Sequence, residues 1–165
     1  MFYEDVFREL DRRRIRYVVV GGVALVLHGV VRLTVDLDLM VQLERANLLA
    51  FVEAMETLGY RPRVPVSARE FVEPENRERW RAENGMLVFS FFHPVSHGKL
   101  IDVFIDEPID FQEVDQAKTI VNAADLRIPV VSIPHLKRLK TIAGRPQDLA
   151  DIEALEAIER MSGTP

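Results

Sequence analysis

The sequence predicts an α+β domain: a mixed β-sheet backed by helices, with further helices at the C-terminus. Three observations carry that reading. The middle of the chain is rich in strands, its last third holds two proline-opened helices, and an apolar strand–glycine turn–strand segment lies near its start. With 165 residues, 48% of them apolar, the chain can bury about 70% of its unfolded surface in one core.

The first element is amphipathic. Phe2, Val6 and Leu10 recur at helical spacing among charges in MFYEDVFRELDRRR, which suits a surface helix and not a signal peptide. Val18, Val19 and Val20 are continuous and β-branched, as in a buried strand. Gly21 and Gly22 then break the run where the backbone must turn sharply or approach a ligand closely, and a short helix follows. From Arg32 the residues alternate. Arg32, Thr34, Asp36 and Asp38 share one face, and Leu33, Val35, Leu37 and Leu39 the other, so this strand is expected to be apolar beneath and polar above.

Residues 45–58 read as a helix with Leu48, Phe51, Val52 and Met55 as its buried stripe, stopped by Gly59. Residues 61–84 hold three prolines and many Arg and Glu residues, and form an excursion with a short helix around 76–82. Residues 86–92 and 100–105 are strands joined by HPVSHGK as a hairpin. Further strands are expected at 117–122 and 128–132. Pro134 opens a helix that Gly144 ends, and Pro146 opens a last helix running to about residue 160.

Composition excludes some functions. Without cysteine the chain forms neither disulfides nor zinc–thiolate sites, which fits a reducing, cytoplasmic setting. The longest apolar run, residues 17–31, is too short for a membrane span and is interrupted by Gly21 and Gly22. The net charge of -5 argues against a simple nucleic-acid coat, but the charge is uneven. Arg12, Arg13, Arg14, Arg16 and Arg32 form one stretch free of acids, and Arg127, Lys137, Arg138, Lys140 and Arg145 form another. These are either ordinary solvated faces or two basic walls flanking a polyanionic ligand.

The chemistry concentrates at Asp36 and Asp38, with Asp102 as the candidate third acid. In KLIDVFID, Asp102 interrupts an otherwise apolar strand, and a buried carboxylate needs a hydrogen-bonding, cationic or metal partner. Three converging carboxylates repel one another unless divalent cations neutralise them. Magnesium suits such a site because it takes one or two carboxylates plus substrate phosphates. Two magnesium ions clamp an in-line phosphoryl displacement.

The Gly21-Gly22 turn, the Asp36-x-Asp38 pair and Asp102 on a later strand together resemble the DNA polymerase β-like nucleotidyltransferase superfamily. The wider pattern GGVALVLHGVVRLTVDLDLMV, with HLKRLKTIAGRPQDLADIEAL near the end, more closely resembles the AbiEii-type bacterial nucleotidyltransferases, which include toxins of toxin–antitoxin pairs. The resemblance implies a single nucleotidyltransferase domain over residues 1–165, with a catalytic core at about 15–106 and a C-terminal strand and helical segment at about 117–160. It implies that Gly21 and Gly22 hold nucleotide phosphates, that Asp36, Asp38 and Asp102 bind magnesium, and that a lysine after the third acid contacts the nucleotide. Val23 departs from the serine that many members carry in the turn.

On a helical wheel Leu136, Leu139, Ile142 and Ala143 form one arc, with Lys140 at its edge and Lys137 further round. Lys140 is therefore the first candidate lysine, Lys137 the second, and Arg32 a further cation for the triphosphate. Leu149, Ile152, Leu155 and Ile158 define the buried arc of the last helix. Asp148 and Asp151 fall within it, so Asp151 is expected to pair with Arg145, Lys140 or Arg32.

His28 reads as packed or capping. His93, His97 and His135 lack metal-ligand spacing, and Trp80 reads as a helix anchor with base stacking as the alternative. The expected function is magnesium-dependent transfer of an NMP from an NTP to an acceptor hydroxyl, on an RNA 3′ end (tRNA included) or a protein side chain. A toxin role would bring a cognate antitoxin as partner. The alternative is a catalytically weak module on the same fold that binds a nucleotide or a partner.

Overall fold

The computed structural model describes residues 2–163. One of its inner strands is β1, Tyr17–Val20, every residue of which is buried. Such a run of valines has no solvent face, and it lies inside the sheet with a strand on each side. The other strands are β2 (Leu37–Val41), β3 (Arg61–Pro62), β4 (Val88–Phe92), β5 (Leu100–Phe104), β6 (Thr119–Ala123) and β7 (Leu126–Val130). They form one seven-stranded mixed sheet in the order β3-β4-β5-β2-β1-β7-β6. The helices are α1 (Glu4–Arg12), α2 (Gly21–Leu27), α3 (Arg45–Thr57), α4 (Pro74–Asn84), α5 (Phe111–Ala117), α6 (Ile133–Ala143) and α7 (Pro146–Met161). The expected α+β architecture is therefore present. Among the described residues no helix is long and apolar enough to cross a membrane.

Register positions the chemistry. Strands β1 and β2 are antiparallel with Val20 opposite Asp38, while β2 and β5 are parallel with Asp38 beside Asp102. Ser90 on β4 lies opposite Asp102. Residues in register on neighbouring strands point to the same face, so Ser90, Asp102 and Asp38 form a row across three strands.

Several expectations need correction. The second strand does not begin at Arg32, because its ladder starts at Leu37 and residues 30–36 carry no regular structure. Its alternation survives without the sheet: Arg32, Thr34 and Asp36 turn into a cleft, whereas Val31, Leu33 and Val35 are exposed. The apolar underside therefore belongs only to Leu37 and Leu39. Phe2 is exposed, and the buried stripe of α1 is Val6, Phe7 and Leu10. The excursion folds as a helical turn at Ala68–Val72, capped by Ser67, followed by an α4 longer than its sequence suggested. Helix α5, which the sequence did not signal, takes residue 117, and the last two strands fall at 119–123 and 126–130. Ile142 and Leu149 are exposed, so the inner faces of α6 and α7 are more polar than the leucine pattern implied.

Candidate active site

The row of acids opens into a cleft of about 540 Å³ between the sheet and helices α6 and α7. Gly21, Gly22, Arg32, Asp36, Asp38, Asp102 and Lys140 all line it, so the fold brings together residues spread over 120 positions of sequence.

The glycine pair is explained by what packs on it. Gly21 has φ +67°, in the left-handed region, and a Cβ there would lie 2.2 Å from Asp38 Oδ2 and 2.8 Å from Asp38 Cβ. A Cβ on Gly22 would lie 2.6 Å from Thr34 Oγ1. The bare backbone lets the acid-bearing segment settle directly on the turn, and the Gly22 N–H donates to Asp38.

The acids perturb one another. Burial, followed by the charges of Asp102 and Asp36, pushes Asp38 up to about 7, while Lys140 and the Gly22 N–H pull it back. Burial also raises Asp102, against a hydrogen bond of 2.5 Å from Ser90 Oγ and the nearby charge of Arg63. The cluster thus carries more negative charge than its surroundings neutralise. That excess and the all-oxygen donor set are what a magnesium ion requires. Among the described residues no three His, Asp or Glu side chains close into a cation cage. Magnesium bound through one or two carboxylates plus phosphate oxygens does not need one.

Opposite the acids lies a cation network. Lys140 is 7% exposed, well inside the arc edge that its helical position suggested, and sits 2.9 Å from Asp151 and 3.3 Å from Asp148. Arg32 pairs with Asp151, and Arg145 Nε lies 2.8 Å from Asp148 Oδ2. Asp151 is therefore paired as expected, with two of its three candidate cations. Asp148, 1% exposed, also accepts the Arg145 backbone N–H at 3.0 Å and so caps α7.

Arg145, then Lys140, hold Asp148 down to about 2. A carboxylate with a lowered folded pKa stabilises above its unfolded value, and that stability is lost as pH falls through the folded one. Asp148→Asn is expected to cost on the order of 2 kcal/mol at neutral pH, a difference that closes between about pH 4 and pH 2. Urea unfolding of both proteins across that range measures it.

Some expected residues lie elsewhere. Lys137 does not line the cleft, because its ammonium is 2.7 Å from Glu159. The two basic stretches contribute only in part: Arg32, Lys140 and Arg145 line the cleft, whereas Arg12 and Arg13 pair with Glu9, Arg16 with Asp115 and Arg138 with Glu113. His28 Nε2 lies 2.7 Å from the Val131 carbonyl, a packed role, and Trp80 is buried against Phe89 at 5.4 Å between ring centroids.

Three residues of the site escaped the sequence reading. Ser90 is placed on Asp102 only by strand register, and Arg63 comes close only through the β3–β4 pairing. Tyr3 has a buried hydroxyl within 3.0 Å of the Leu100 carbonyl, also bonded to the Val35 carbonyl, and it accepts the Leu100 N–H at 3.2 Å. It ties the segment bearing Asp36 to the start of β5. A serine in an apolar strand was the only local signal for any of the three.

No family model and no curated protein matches this chain. Solved structures do share its fold. The antibiotic-resistance factor ANT(2'')-Ia is 16% identical, with a TM-score of 0.60 over 97% of this chain and 82% of that one. The lincosamide antibiotic adenylyltransferase LnuA, bound to lincomycin, is 17% identical, with a TM-score of 0.55 over 90% of each chain. An antigenic nucleotidyltransferase-like protein from Paracoccidioides brasiliensis is 18% identical, with a TM-score of 0.54 over 94% of this chain and 72% of that one. The chain thus has the fold of nucleotidyltransferases.

Proposed function

We propose that this protein is a magnesium-dependent nucleotidyltransferase that moves an NMP from an NTP to an acceptor hydroxyl and releases pyrophosphate. The observation that carries the reading is the register of Asp38 beside Asp102, with Asp36 adjacent, facing Lys140 and Arg32 across one cleft. Asp36, Asp38 and Asp102 would hold the metal, which supplies neutralisation of the triphosphate and of charge at the transferred phosphorus when bound. Arg32 and Lys140 counter the remaining phosphate charge, and the Gly21-Gly22 edge lets phosphates approach the backbone. Asp102, oriented by Ser90 Oγ, takes the proton of the acceptor hydroxyl.

The acceptor in this proposal is an RNA 3′ end, tRNA included, or a protein side chain. The AbiEii-like sequence pattern adds a toxin role restrained by a cognate antitoxin. ANT(2'')-Ia, which has been solved with adenylyl-2''-tobramycin, gives a precedent on this fold for a small hydroxyl acceptor. One observation favours a second reading, a module that binds nucleotide without turnover: Lys140 is already engaged by two carboxylates.

Incubation with each labelled NTP, magnesium, and cellular RNA, protein or small hydroxyl compounds separates these readings. We expect label in one acceptor class, abolished by Asp36→Ala. NTP binding without label in any acceptor would instead establish the binding module. Growth arrest on expression of the wild type but not of Asp36→Ala is the result expected of a toxin.

A further inference from the structure

A second cleft, of about 550 Å³, meets the first at Asp36, the one residue that lines both. Its other walls include Arg63, His97 and Lys99 over an apolar floor of Val35, Phe92 and Leu100. Among the described residues, Asp36 is the one acid that lines it. Arg63 is exposed and, among the described residues, its guanidinium has no hydrogen bond or ion pair, although its charge reaches Asp102. Lys99 has its ammonium 3.5 Å from Asp5 and 5.3 Å from the centre of the Phe2 ring.

The geometry points to this second cleft as the acceptor subsite, selective for a hydroxyl compound that carries phosphate. The inference rests on the NMP-transfer reading. In an in-line displacement the acceptor oxygen bonds the α-phosphorus as the bond to the β-phosphate oxygen breaks. Pyrophosphate then leaves on the far side, and the hydroxyl proton passes to Asp102. The pyrophosphate side belongs to Lys140, Arg32 and Arg145 in the first cleft, so the acceptor must come from across the acids. That direction is the second cleft. Nearest the acids an uncommitted guanidinium awaits an anion, since Arg presents a fork that matches phosphate oxygens. A polycationic acceptor such as tobramycin would meet Arg63 and Lys99 as like charges.

Two measurements test this. Inorganic phosphate titrated into the 15N-labelled protein is expected to shift the amides of Gly98 and Lys99, and Arg63→Ala should remove that response. Shifts confined to the Gly21–Gly22 edge, or unchanged in Arg63→Ala, overturn the site. In transfer assays ribose 5-phosphate and a short oligoribonucleotide should outcompete glycerol and tobramycin, and the better of the two identifies the source of the phosphate. Arg63→Ala should raise the acceptor KM about tenfold or more with little change in kcat, as expected for loss of a charge-assisted contact, and Arg63→Lys should recover part of it. Preference for glycerol or tobramycin, with normal pyrophosphate release, overturns the subsite alone. Phosphate binding through Arg63 without transfer to any acceptor overturns the acceptor role together with the transfer reading.

Discussion

Asp38→Asn is expected to lower NMP transfer by at least about a thousandfold, because it removes one of the three carboxylates proposed to hold the metal. The same substitution should stabilise the metal-free protein. Burial and the charges of Asp102 and Asp36 push Asp38 up to about 7. A carboxylate raised in the folded state favours folding least when ionised, so its cost is absent below the unfolded pKa. The cost grows with pH and is complete above the folded value. Asparagine preserves the shape and can still accept from the Gly22 N–H, but it carries no charge. Asp38→Asn should therefore raise stability by up to about 4 kcal/mol at pH 8, and by less at pH 5. Thermal unfolding without magnesium at both pH values measures this. A variant both inactive and more stable separates loss of chemistry from loss of fold.

Gly21→Ala is the second large effect, and it acts in the opposite direction on stability. The new methyl would sit 2.2 Å from Asp38 Oδ2 and 2.8 Å from Asp38 Cβ, in a residue held at φ +67°. Rotating the carboxylate relieves the first clash but not the second, so β2 itself must shift. Left-handed strain and overpacking together should cost about 2–5 kcal/mol. Displacing Asp38 by even a fraction of an ångström should reduce transfer by about a hundredfold. Gly85→Ala is the matched control. Gly85 has φ +62°, but nothing lies within 4 Å of the added Cβ, so it carries only the backbone strain and should leave transfer unchanged. Denaturant unfolding and transfer assays on both variants check the contrast.

Much of this site could be read from the chain because its signals are local. The Gly-Gly break after three valines, the Asp-x-Asp spacing and the prolines that open α6 and α7 each need only a few neighbouring residues. Asp102 stood out as one acid in an apolar strand, and Asp151 as an acid on a buried arc. What stayed hidden depends on pairing between distant elements. Ser90 acquires its role from the β4–β5 register, Arg63 from its short strand beside β4, and Tyr3 from hydrogen bonds that reach residues 35 and 100. The alternation from Arg32 to Asp36 was real, but it predicted a covered apolar face where no element packs. Lys140 was placed at a helix edge by its own wheel, and only the paired Asp148 and Asp151 of α7 make its burial affordable.

Pyrophosphate release is the measurement closest to the central claim. With magnesium, an NTP and its acceptor, the wild type should form one pyrophosphate for each nucleotide joined to the acceptor. Asp36→Ala, Asp38→Asn and Asp102→Asn should each form essentially none. Stoichiometric release that persists in any of these three variants, or NTP consumption that yields phosphate in place of pyrophosphate, would contradict it.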